Sequence, residues 1–175
     1  MAQSALPPLR PARARTGRAP AAAARSALRA PWPAVIAAAG LSLFAAYVHV
    51  AYFESHWEAW WGYGTFFLAT GVAQALFVPA IIQWPRAELA LAGIAGNVAI
   101  VATYVMSRTE GIPLGTHEGA AERAGTIDLV CTAAEILLVG ILLALVGPVA
   151  RRRISGGLLG LGVLLWTLRL TGRLP

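Results

Sequence analysis

Residues 127–149 read Ile-Asp-Leu-Val-Cys-Thr-Ala-Ala-Glu-Ile-Leu-Leu-Val-Gly-Ile-Leu-Leu-Ala-Leu-Val-Gly-Pro-Val. After Asp128, Glu135 is the sole ionisable carboxylate until Arg151-Arg152-Arg153 ends the stretch. A helix needs about 20 predominantly apolar residues to cross a hydrocarbon core. This segment meets that length, and a soluble helix would need a polar face that it lacks. Backbone groups in lipid must be satisfied within the segment, and the alternating polarity of barrel strands is missing, so a helix is expected.

Working outward, four more segments read the same way. They are Pro33–Phe53, Gly62–Gln83, Ala87–Met106 and Ile154–Leu170. The last is short and rich in glycine (Gly156, Gly157, Gly160, Gly162). The expected fold is an all-α, multi-pass transmembrane bundle of five spans. Residues 32–171 form the bundle and residues 1–31 an Arg-, Ala- and Pro-rich cytoplasmic tail. That tail contains Arg10, Arg13, Arg15, Arg18, Arg25 and Arg29 and no acidic residue, a composition that favours disorder beside anionic lipid headgroups. The run from Pro33 to Phe53 is longer than the roughly 7–15 apolar residues of a signal peptide, so it is read as a retained span.

Composition agrees. The chain has 58% hydrophobic and 13% charged residues, too little polar surface for a soluble domain of 175 residues. Its formal net charge is +6 and every basic residue is arginine. These arginines flank apolar runs, which points to lipid as the partner and away from nucleic acid. Alternation of five spans puts the tail, Arg86 and Arg151–Arg153 on one side. The positive-inside rule makes that side cytoplasmic, with the N-terminus inside and the C-terminus outside. The all-Arg, Ala-rich and Gly-rich usage resembles that of a GC-rich bacterial genome, so a bacterial plasma membrane is the expected location. The acidic, aromatic stretch Glu54–Trp61 and the loop Ser107–Thr126 then lie outside. Trp57, Trp60, Trp61 and Tyr63 suit an interfacial belt there, and Trp84 and Trp166 fit the same role.

Ionisable or amide side chains inside a span cost energy unless they find partners, so they mark candidate sites. Five stand out: His49, Gln74, Asn97, Asp128 and Glu135. At about 1.5 Å of rise per residue, Gln74, Asn97 and Glu135 lie about 12–18 Å below the outer boundary and His49 about 6–8 Å. Four spans thus carry polar groups at similar depth, which predicts a shared polar pocket opening outward. Asp128, Cys131, Thr132 and Glu135 follow spacings of 3, 4 and 7, one face of the fourth helix. Arg108 directly follows the third span, where it can reach Asp128 or Glu118 and lid the pocket. The plainer alternative is that these groups only hydrogen-bond helices together, Glu135 to Asn97 or Gln74.

A metal site is a further possibility. His49, Tyr52 and His56 share a helix face if the first helix continues past Phe53, and Glu58 stands close by, so His49, His56 and Glu58 are candidate ligands for a divalent or copper ion. No strong zinc motif such as H-E-x-x-H is present. Cys131 is the sole cysteine, which excludes an intramolecular disulfide and a multi-thiolate zinc site within one chain. The chain also lacks a P-loop, a G-x-G-x-x-G turn and a G-x-S-x-G elbow. Gly93-Ile94-Ala95-Gly96 and Gly156-Gly157-x-x-Gly160 are small-residue faces suited to close helix approach, and a homo-oligomer is compatible with them.

The run His56-Trp57-Glu58-Ala59-Trp60-Trp61-Gly62-Tyr63-Gly64-Thr65-Phe66-Phe67, then Gln74, Gly96-Asn97, Ser107-Arg108-Thr109-Glu110-Gly111-Ile112-Pro113-Leu114-Gly115, Asp128 and Glu135, resembles a group of small multi-pass membrane proteins of high-GC bacteria. The likeness spans roughly Val48–Leu143. It implies membrane location and a shared outer-loop motif, and no activity. Three functions remain open on the sequence. They are a binding or transport-type protein for a metal ion or small polar solute, a membrane-embedded enzyme using Glu135, Asp128 and His49, and a structural or accessory subunit. The first is preferred, because no catalytic motif is present.

Overall fold

A computed structural model describes residues 32–116 and 118–171. The expected tail, residues 1–31, lies outside them. The described residues form six helices: α1 Trp32–Ala51, α2 Phe53–Ala59, α3 Trp61–Gln83, α4 Ala87–Thr109, α5 Thr126–Leu145 and α6 Pro148–Leu170. Five are long and apolar enough to cross a membrane, α2 being the short exception. The all-helical, multi-pass architecture expected from the sequence is therefore present, and no strand occurs among the described residues.

Two boundaries differ from the sequence expectation. The fifth long helix begins at Pro148 and not at Ile154; α5 stops at Leu145 and α6 follows at once, so Arg151–Arg153 sit in the first turns of a helix and not in a connection. Pro148 explains this. Its ring disfavours a helical conformation for Gly147, which is extended at φ −59°, ψ 156°, while its own fixed φ suits a helix start. The third span likewise runs on to Thr109, three residues past Met106.

Helix α1 is the hub. It packs most extensively against α3 and α5, and α4 closes the bundle by packing on α5. Its buried face is Val35, Ala38, Ala39, Ser42, Ala45, Ala46, Val48 and His49, a helical repeat made mostly of small side chains. Small residues let backbones approach closely in lipid, where dispersion and hydrogen bonds replace the hydrophobic effect as the force between helices. Neighbours exploit this. A Cβ on Gly71 of α3 would stand 2.8 Å from Val50 Cγ2 and 3.3 Å from the Ala46 carbonyl oxygen. One on Gly93 of α4 would stand 2.8 Å from Leu142 Cδ1. Gly96 and the glycines of α6, by contrast, face open space within this chain.

The bundle has a dry end and a polar end. Val35, Ala39, Ile81, Ile94, Leu138 and Leu142 fill the dry end, near the start of α1 and α4 and the finish of α3 and α5. At the opposite end α2 and the 110–125 loop fold over the helices. Replacing Gly71 by leucine is expected to overpack α3 against α1 and cost about 1–3 kcal/mol. Thermal unfolding in detergent checks this, with Gly160→Leu on open α6 as the control that should leave stability unchanged.

Candidate functional site

The polar end is organised around Glu135, whose side chain is 2% exposed on the inner face of α5. The Glu135 Oε1 accepts from His49 Nε2 of α1 at 3.0 Å and from Gln74 Nε2 of α3 at 3.2 Å. Gln74 Nε2 also reaches Asn97 Oδ1 of α4 at 3.2 Å, and Asn97 Nδ2 turns back to the Gly93 carbonyl at 2.8 Å. Ser42 Oγ donates to the Gln74 backbone carbonyl at 2.9 Å, a link absent from the sequence reading. Ser42 precedes His49 by seven residues, two helical turns, and that spacing was its available signal.

Four of the five intramembrane candidates thus converge: His49, Gln74, Asn97 and Glu135 are all buried and joined through one carboxylate. Burying such a group away from water demands partners; α1 and α3 supply them to Glu135 of α5, and α4 joins through Gln74. Two atoms stay unpaired. His49 Nδ1 and Gln74 Oε1 are buried and have no hydrogen-bond partner.

Above this network lies a cavity of about 290 Å³. His49, Cys131, Thr132 and Glu135 line its floor, and His56, Phe67, Trp60 and Tyr63 its aromatic wall. Phe67 meets the His49 ring edge-on at 5.3 Å and stacks on His56 at 3.6 Å, so one phenyl ring orients both imidazoles. The expected continuation of α1 toward His56 is met in part. The helix loosens at Tyr52, yet Tyr52 N still bonds Val48 O at 3.1 Å and His56 N bonds Tyr52 O at 3.3 Å. His56 Nδ1 donates to the Tyr52 carbonyl at 2.8 Å. Glu58 does not join the histidines; it stands exposed on α2, away from the cavity lining.

The mouth is closed by charge. Arg108 pairs through Nη1 with Glu122 and through Nη2 with Asp128 Oδ2, the latter at 2.8 Å. Asp128 is reached as the sequence anticipated, whereas Glu122 takes the second place in preference to Glu118, which is exposed. The Asp128 Oδ2 also accepts from Gly125 N at 2.9 Å, which caps the start of α5. Arg108 lies over the Tyr104 ring at 5.0 Å from its centroid, a cation–π contact.

The loop between α4 and α5 is a folded lid. Gly111 has φ 77° and Gly115 φ 88°, the turn expected around Pro113. A Cβ at Gly115 would lie 2.7 Å from the Tyr63 hydroxyl and 2.9 Å from Trp60, so glycine lets the loop sit directly on the aromatic wall. Tyr63 then donates to Leu114 O at 2.6 Å and Thr116 Oγ1 to Ala59 O at 3.0 Å, fastening the lid to the α2–α3 corner. Trp60 and Tyr63, expected as interface anchors, therefore also shape the cavity.

Arg108→Ala is expected to free Glu122 and unfasten this lid. Hydrogen exchange should rise in residues 110–125, where Glu122 N bonds Ser107 O at 2.9 Å, while α1 amides keep their protection. Comparison with protein-family models, with curated proteins and with solved structures finds no match to this chain.

Proposed function

We propose that this chain is an integral membrane protein of the binding or transport type, whose pocket takes a metal ion or small polar solute from the outer side of a bacterial plasma membrane. The observation that carries the proposal is the network at Glu135 together with what it leaves undone. A network serving only to hold helices together would satisfy its buried polar atoms. Here His49 Nδ1 and Gln74 Oε1 remain without a partner, and His49 itself lines a cavity of about 290 Å³, a size that suits an ion with its water or a small solute.

Acid–base catalysis by Glu135, Asp128 and His49 has weaker support. Asp128 is committed to Arg108 and to the α5 cap, and so holds the mouth. The outward opening follows from arginine bias. The 110–125 lid and the Arg151–Arg153 run stand at opposite ends of alternating spans, and the arginine run belongs in the cytoplasm.

Two measurements test this. A ligand present at about 100 times its Kd adds about 2.7 kcal/mol of stability. Thermal unfolding of purified protein in detergent, screened with divalent metal ions and with small amino acids and carboxylic acids, should therefore show a shift that Glu135→Gln removes. No shift from any compound would leave the network as helix glue. For orientation, Glu118→Cys should react with an impermeant maleimide on intact cells and Arg152→Cys only after permeabilisation. The reverse pattern would turn the pocket to the cytoplasm.

A further inference from the structure

We propose that His49, Cys131 and Glu135 form a three-ligand site for a divalent transition-metal ion of the zinc class, with a fourth coordination position open to the cavity. The inference rests on the pocket reading above and names its occupant. It replaces the ligand set His49, His56 and Glu58 suggested by sequence proximity.

The first argument is proximity across helices. His49 comes from α1 and the other two from consecutive turns of α5, yet one donor atom from each lies within 4.8 Å of the others. All three are buried, Cys131 at 5% exposure. Ligands of a tetrahedral zinc stand roughly 3.3–3.6 Å apart, given metal–ligand distances of about 2.0–2.3 Å. His49 Nε2 and Glu135 Oε1 are already 3.0 Å apart, so an ion enters by spreading one hydrogen bond and drawing in a thiolate.

The second argument is charge. The thiol loses its proton on metal binding and the carboxylate is ionised, so the three ligands carry two negative charges. A divalent ion makes the site neutral, the one outcome that a low-dielectric setting does not penalise. Copper(I) would leave a net negative charge. Magnesium and calcium need six or more hard oxygen ligands, and this group supplies a single carboxylate beside a soft sulfur and an imidazole.

The third argument is the surroundings. Gln74 donates to the same Oε1 that faces His49, which fixes the carboxylate, and Phe67 fixes the imidazole plane. The hydrogen bond from Gln74 is the kind of outer partner that ligating carboxylates have in metal sites. The cavity meets the group on its open side and gives space for a water or a small ligand in the fourth position. A three-ligand set with one open position is the arrangement of zinc sites that exchange or act on a ligand, as opposed to closed structural ones.

The test uses full-length protein in mild detergent with cobalt(II) as an optical probe for zinc. One cobalt per chain is expected, with the near-ultraviolet charge-transfer band of a cobalt–thiolate bond and the visible intensity of tetrahedral cobalt. Zinc should displace it. Cys131→Ser should abolish the thiolate band, and Gln74→Leu should weaken binding about 10–100-fold. Because the wild-type band alone reports the thiolate bond, a poorly folding variant leaves the test intact. Absence of cobalt, or cobalt bound without that band, overturns the site. A solute or metal that binds in a Glu135-dependent way with no involvement of Cys131 sinks this inference and leaves the pocket reading standing. Failure of every ion and solute to bind sinks both.

Discussion

A carboxylate buried among apolar helices has to be answered by donors, and at Glu135 that requirement shapes the whole polar end of the bundle. Its side chain is 2% exposed, and its Oε1 is held by an imidazole from α1 and an amide from α3. An unpaired ionised group there would cost far more than any single helix contact returns. The amide that answers Glu135 is itself held, by Asn97 through its side chain and by Ser42 through its backbone. The relative rotation of α1, α3, α4 and α5 is thereby fixed at one level of the membrane by a handful of hydrogen bonds.

The dry end makes this possible. In lipid, helices associate through close packing and not through expulsion of water. The alanine-rich face of α1, Val35 through Ala46, lets α3 and α5 approach it, and Gly71 and Gly93 remove the side chains that would hold the backbones apart. The same helix changes character along its length, from Ala38 and Ala39 in the core cluster to Ser42 and His49 in the polar one. One element therefore sets both the packing and the site. The lid depends on the same economy of space: Gly115 allows the loop to rest on Trp60 and Tyr63, and Arg108 ties its far side to α5 through Asp128.

Much of this was legible in the sequence, for physical reasons that differ from residue to residue. Span number and helical class follow from length and apolarity alone, since lipid admits few alternatives. Depth along a helix follows from rise per residue, so His49, Gln74, Asn97 and Glu135 could be placed at comparable levels. Whether they face one another depends on rotation about each helix axis, which is set by α1's small residues against α3 and α5 and is not encoded locally. The grouping of Cys131 with His49 is of that kind, although its shared face with Glu135 was visible from the spacing. Glu58 shows the converse. It is close to His56 in sequence, but residues two apart in one helix stand about 200° apart around its axis, so the carboxylate is exposed on the other face of α2. The start of α6 was missed because hydropathy weighs Arg151–Arg153 heavily, whereas the backbone obeys Pro148.

Helix α6 separates what the site needs from what it does not. It has no buried residue, and its mean hydropathy of 1.2 is the lowest of the five long helices. Ala150 and Ile154 pack against the core cluster near its start, and Arg169 pairs with Glu110 at the lid end. That pair places the C-terminal end of α6 beside the C-terminal end of α4, as alternation of the spans requires. Every member of the Glu135 network, every donor of the His49–Cys131–Glu135 group and the whole lid belong to α1 through α5 and their connections. The polar network and the cavity lining are thus complete in four spans and one short helix. Lipid or a neighbouring chain can cover the glycine face of α6 without touching the cavity, because no residue of α6 lines it.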